Sequence, residues 1–177
     1  HHASSSSSGY SRSKPGPFAV PVALLCWRIA EQLTAPHEAP RRKRLLESCV
    51  QLLDSAKHRK QMPMAAAAYE ALADLRLQEA HALLPLPSGA AAASAVSSAS
   101  RGDPSEDTEV EGLAAIAEHR AACRSLLNGI SALRSVCRPG MAPARLLRML
   151  AKLGRELSNL AHRYLLAKRP GRAVAAL

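Results

Sequence analysis

The chain has 177 residues, a formal net charge of +10 and only 3% aromatic side chains, so it can build one modest core or two small ones and lacks most of the large anchors that dominate burial. Alanine contributes 35 residues and leucine 26, a bias that favours helices and excludes a sheet protein, because strands depend on β-branched and aromatic side chains. The basic excess favours polyanions or anionic surfaces, and it is concentrated towards the end: residues 108 to 177 hold 12 Lys and Arg against 4 Asp and Glu.

The opening, "HHASSSSSGYSRSKPG", is rich in serine, and no acid occurs before Glu31. That bias is similar to an organelle transit segment and points to a mitochondrial setting. Residues 1 to 18 are read as an extended tail. A first helix is expected over about 21 to 34, with Pro21 in its first turn and Val22, Leu25, Cys26, Ile29 and Leu33 on one face. The apolar run from Phe18 to Trp27 is too short to cross a bilayer, so no transmembrane segment is expected.

A second helix, about 40 to 58, aligns Leu45, Leu46, Cys49, Val50, Leu53 and Ala56, and opens on the basic cluster Arg41, Arg42, Lys43 and Arg44. After Pro63 a third helix follows, with Ala65, Ala68, Tyr69, Leu72, Leu75, Ala80 and Leu83 on its buried side. Few residues separate these two, which predicts an antiparallel hairpin. Residues 19 to 84 are read as an N-terminal unit of three helices; its stretch "AAAAYEALADL" has the flavour of a tetratricopeptide repeat, but the glycine and aromatic positions of that repeat are missing.

Residues 85 to 107, "PLPSGAAAASAVSSASRGDPSED", have no period and several breakers, and are read as a low-complexity linker. Thr108 and Glu111 have the spacing of a capping box, so the fourth helix is expected to start at 108 and run to about Cys137, with a kink or C-cap possible at Asn128 and Gly129. "RPGMAP" forms a turn, and Pro143 opens the fifth helix. The expected architecture is all-α: about five helices, arranged as two antiparallel helical hairpins joined by the linker, the second spanning 108 to 177.

In the fifth helix Leu146, Leu150, Leu153, Leu157, Leu160 and Tyr164 recur at steps of four and three, a coiled-coil spacing. They are predicted to pack on Ile116, Cys123, Leu127, Ile130 and Cys137 of the fourth. Arg145, Arg148, Lys152, Arg155 and Arg163 form a second row, placed by the wheel on the outward side, and Lys168 and Arg169 extend it. An ordinary solvated face mixes signs; this row contains no acid. Arginine forks suit phosphate oxygens, so the row and the 41 to 44 cluster are the candidate nucleic-acid-binding residues.

No phosphate loop, nucleophile elbow, zincin motif or metal-ligand spacing occurs, and no cofactor is implied. Cys26, Cys49, Cys123 and Cys137 lack paired spacing and read as reduced thiols; His119 and Cys123, four apart, read as a histidine beside a core thiol. No aromatic platforms interleave with the cations, so phosphate and shape contacts are expected over base reading. The sequence therefore predicts a non-catalytic structural subunit of a mitochondrial ribosome, contacting rRNA phosphates and neighbouring proteins. The alternatives are a soluble accessory subunit of a mitochondrial respiratory or ATP synthase-type complex and a helical protein adaptor.

Overall fold

A computed structural model describes residues 17–56, 59–84, 106–137 and 143–166. The serine-rich tail up to residue 16, most of the 85 to 107 linker, the turn at 138 to 142, and Lys168 and Arg169 lie outside the described residues. Among the described residues there are five α-helices: α1 (Ala19–Gln32), α2 (Ala39–Ala56), α3 (Met62–Leu83), α4 (Glu106–Arg134) and α5 (Ala144–Leu166). Short 3-10 turns at Pro36–Glu38 and Arg59–Gln61 precede α2 and α3. Among the described residues there is no strand.

Side-chain contacts fix the direction of each helix. Lys43 meets Glu79, Glu47 meets Arg76 and Asp54 meets Tyr69, so numbers rise on α2 as they fall on α3. The same opposition holds for α3 with α4, where Arg76 reaches Ser125 and Tyr69 lies beside Gly129. It holds again for α4 with α5, where Gly129 faces Met149 and His119 faces Glu156. From α2 to α5 successive helices therefore run antiparallel; short connections account for α2 with α3 and α4 with α5, and extensive packing for α3 with α4.

Of all the pairs, α3 and α4 share the most extensive packing. Small residues make this possible: Ala66 and Ala73 on α3 meet Ala122 and Gly129 on α4, all buried. A Cβ on Gly129 would stand 2.6 Å from Met149 Cε, 3.2 Å from Tyr69 Cβ and 3.4 Å from the Ala66 carbonyl oxygen. The "NG" pair thus neither kinks nor ends α4; its glycine is the point where three helices close up. Thr108 likewise lies inside the first turn of α4, two residues past Glu106, and is not its N-cap.

Two apolar clusters share α3. One joins α1 and α2 to Ala65, Ala68, Tyr69, Leu72 and Leu75. The other joins Ala66, Ala73 and Leu77 to α4 and α5. Lys43 on α2 spans the groove between α3 and α4 by bonding both Glu79 and Glu118, and α5 lies over the same pair of helices from the other side, touching α4 through its core and α3 through ion pairs.

Of the faces expected on α2 and α3, Leu46, Cys49, Val50 and Leu53 are buried on the first and Ala65, Ala68, Tyr69, Leu72, Leu75 and Ala80 on the second, whereas Leu45 and Ala56 are half-buried and Leu83, at the end of α3, is exposed. Two helices are rotated from the predicted setting. On α1 the buried residues are Ala23 and Ala30, with Cys26 and Trp27 half-buried, while Val22 and Leu25 are exposed; alanines let α1 approach α2 closely and turn the larger side chains out. On α5, Met149 is buried where Leu150 was expected, and Leu150 is 45% exposed. Leu127 on α4 is 50% exposed as well. All four cysteines are free thiols, Cys49 and Cys123 buried and Cys26 and Cys137 half-buried.

Candidate polyanion-binding face

The rotation of α5 decides the fate of the cationic row. At about 100° per residue, the buried residues Leu146, Met149, Leu153, Glu156, Leu160 and Arg163 centre roughly 40° from the predicted leucine row, towards the cations. The helix needs this turn because it fills a groove with two walls, not a single flank. Arg145, Lys152 and Arg163 then come to the inner edge; Arg148 and Arg155 stay outside.

The inner three are committed to their own chain, which corrects the expectation that the whole row faces outward. Arg145 donates from Nε and Nη2 to Glu70 Oε2 at 3.0 and 2.6 Å, and Lys152 pairs with Asp74. Arg163 is 0% exposed. Its Nε donates to His119 Nδ1 at 3.0 Å, Nη1 donates to the Leu84 carbonyl at 2.6 Å, and Nη2 lies 3.3 Å from His81 Nδ1. Because a guanidinium only donates, both Nδ1 atoms are acceptors. His119 therefore carries its proton on Nε2, which lies 2.9 Å from the Glu156 carbonyl oxygen and 3.4 Å from Oε2. The histidine read as a neighbour of a core thiol is instead a fully buried bridge between Arg163 and Glu156.

The hydrogen bond with His119 holds the Glu156 carboxyl at about 2, against the upward push of burial, with Asn159 and Arg155 assisting. Burial, and then the Arg163 charge, lower His81 below the usual histidine range. His119 and the guanidinium are spent on each other and on backbone carbonyls, while His81, exposed near the end of α3, meets Arg163 through Nδ1, so the cluster braces α3, α4 and α5.

The 41 to 44 cluster divides in the same way. Lys43 turns inward; burial would lower its pKa, but pairing with Glu79 and Glu118 outweighs this and raises it. Arg42 is half-buried, and its Nε is buried without a partner. Arg41 and Arg44 are exposed.

The structure adds three cations that sequence reasoning did not select. Arg120, Arg124 and Arg134 are exposed on α4. At helical spacing they share one outward sector with Leu127 and Ser131. The row test that found the α5 cations would have found these too had it been applied to the fourth helix, whose interrupted leucine pattern drew less notice. Arg148 is exposed and Arg155 is 68% exposed, the latter with its Nε 3.3 Å from Glu156 Oε1. Among the described residues, Arg120, Arg124, Arg134 and Arg148 have no ion-pair partner.

Acids and cations are thus sorted. Glu47, Asp54, Glu70, Asp74, Glu79, Glu118 and Glu156 all bond to side chains of the chain itself, and Glu38 accepts from the Ala35 amide.

The chain matches no known protein family, no curated protein and no solved structure. No group of His, Cys, Asp and Glu able to hold a metal ion occurs among the described residues.

Proposed function

We propose that the protein is a non-catalytic, basic structural subunit of a ribonucleoprotein, of the mitochondrial ribosome type, that holds RNA phosphates with the outward arginines of α4 and α5. The observation that carries this reading is the sorting of charge: acids are paired with Lys43, Arg76, Arg145 and Lys152, while Arg120, Arg124, Arg134 and Arg148 have no ion-pair partner among the described residues and Arg155 is exposed. Exposed like charges at i and i+4, as at Arg120 and Arg124, cost a helix a few tenths of a kcal/mol each. A phosphate backbone relieves that repulsion and matches the planar guanidinium fork.

Titrating the full chain with single-stranded RNA across a range of salt tests the reading. Affinity is expected to fall steeply with salt, and each arginine that truly meets a phosphate accounts for about 0.7 of the slope of log K against log salt. Arg120→Glu with Arg124→Glu, and Arg148→Glu with Arg155→Glu, should each flatten the slope by one unit or more. Arg145→Gln is the control: it breaks an internal pair and should leave the slope unchanged. A salt-independent affinity, or double variants that bind like the parent, would reject the assignment.

A further inference from the structure

The exposed side of α1 is not explained by phosphate binding. Phe18 at its head is 72% exposed, Leu25 59%, Val22 43% and Leu24 39%, and Pro21 is exposed between them. Phe18, Val22 and Leu25 fall on one stripe at helical spacing, about 120° round the helix from the alanines that bind α2. A contiguous exposed apolar stripe on a small protein marks an interaction surface. The charge beside the stripe is basic, and Glu31, the acid of α1, is exposed about 150° round the helix from it. No acid precedes Glu31, Arg12 and Lys14 stand just before the helix in sequence, Arg28 is exposed on its third turn, and Arg41 and Arg44 are exposed on α2, the helix beneath.

We infer that α1 is an interfacial anchor that lays Phe18, Val22 and Leu25 into the headgroup boundary of an anionic lipid surface, with Arg28 and its neighbours meeting lipid phosphates. Three rivals fit less well. RNA offers no apolar layer, and one phenylalanine among aliphatic side chains is no stacking platform. A second copy would bring another +10 charge and a second Arg28 against the first, which like-charge repulsion opposes. An apolar protein helix would have to carry acids at matched positions, whereas a bilayer surface supplies apolar and anionic layers together. The stripe covers only about 10 Å of axis from Phe18 to Leu25, and no helix is long and apolar enough to cross a membrane among the described residues, so the helix lies along the surface.

Trp27, the chain's single tryptophan, packs against the core on the far side of α1 from the stripe, so Trp27→Phe combined with Val22→Trp moves the fluorescent reporter onto the exposed stripe. With vesicles of phosphatidylcholine and phosphatidylglycerol, its emission should shift to the blue and part of the binding should survive high salt. Phe18→Ser with Leu25→Ser, both at exposed positions, should weaken partitioning by about tenfold or more, since each buried methylene counts, and should abolish the shift while leaving circular dichroism unchanged. Arg120→Glu with Arg124→Glu should keep the shift, which separates this anchor from the RNA-binding reading. A reporter spectrum that vesicles do not move, equal partitioning of the double variant and the parent, or a vesicle-free dimer that the double variant loses would each overturn the inference.

Discussion

Arg163 shows how far a side chain can depart from its type. A guanidinium is ordinarily the most exposed of groups, yet here it is sealed between three helices, with every partner it reaches fixed in number and direction. Removing it strands the His119 Nδ1 and Leu84 carbonyl acceptors and leaves the Glu156 carboxylate without its nearest buried countercharge. Arg163→Met should therefore lower unfolding free energy by about 3 to 5 kcal/mol in urea titrations, whereas Arg148→Met should stay within about 0.5 kcal/mol. Glu156 gives a pH signature. Its pKa is depressed to about 2 from an ordinary 4.5, so the folded state gains from the ionised carboxylate, fully above pH 4.5, and loses that gain as pH falls towards 2. The loss amounts to about 3 kcal/mol at most, and Glu156→Gln should flatten stability over that window. His81, with its pKa lowered, adds a decline of the same sign that begins nearer pH 6.5. None of this was legible in the sequence. Arg163 and Arg148 stand in one cationic row, and a residue at the border of a buried sector changes sides with a rotation too small for a helical wheel to fix.

For the helices themselves, composition and period were enough to place each one, because alanine and leucine in runs of three and four leave no other regular structure open. Their rotation was less legible. A wheel centres a helix on its largest apolar side chains, but α1 approaches α2 through Ala23 and Ala30, and α5 settles between two walls. Small residues decide such approaches and leave little mark on a hydropathy pattern. The glycines make this testable. Gly154 has nothing within 4 Å of where a Cβ would stand, so Gly154→Ala should raise stability by roughly 1 kcal/mol, the ordinary helix cost of glycine. Gly129 sits against the β-carbon of Tyr69 and the backbone of Ala66; Gly129→Val should cost about 1 to 3 kcal/mol through overpacking, read as a lower thermal midpoint.

At the scale of the whole molecule, the candidate surface was legible in kind and not in place. The net charge announced a cationic face, but two of its expected members, Arg145 and Lys152, are matched to Glu70 and Asp74 some seventy residues away, a pairing no local spacing encodes. The outward arginines of α4 carry the face instead. Because α3 contributes to both apolar clusters, the segment before the 85 to 105 stretch holds the buried residues of one cluster, whereas the segment after it owns only part of the other. Cutting the chain there should leave the C-terminal fragment largely unstructured alone, and mixing it with the N-terminal fragment should recover its helical signal. The protein is in effect a two-piece clasp whose tongue is one alanine-rich rod, and a protease that nicks the stretch between the pieces would leave the clasp shut.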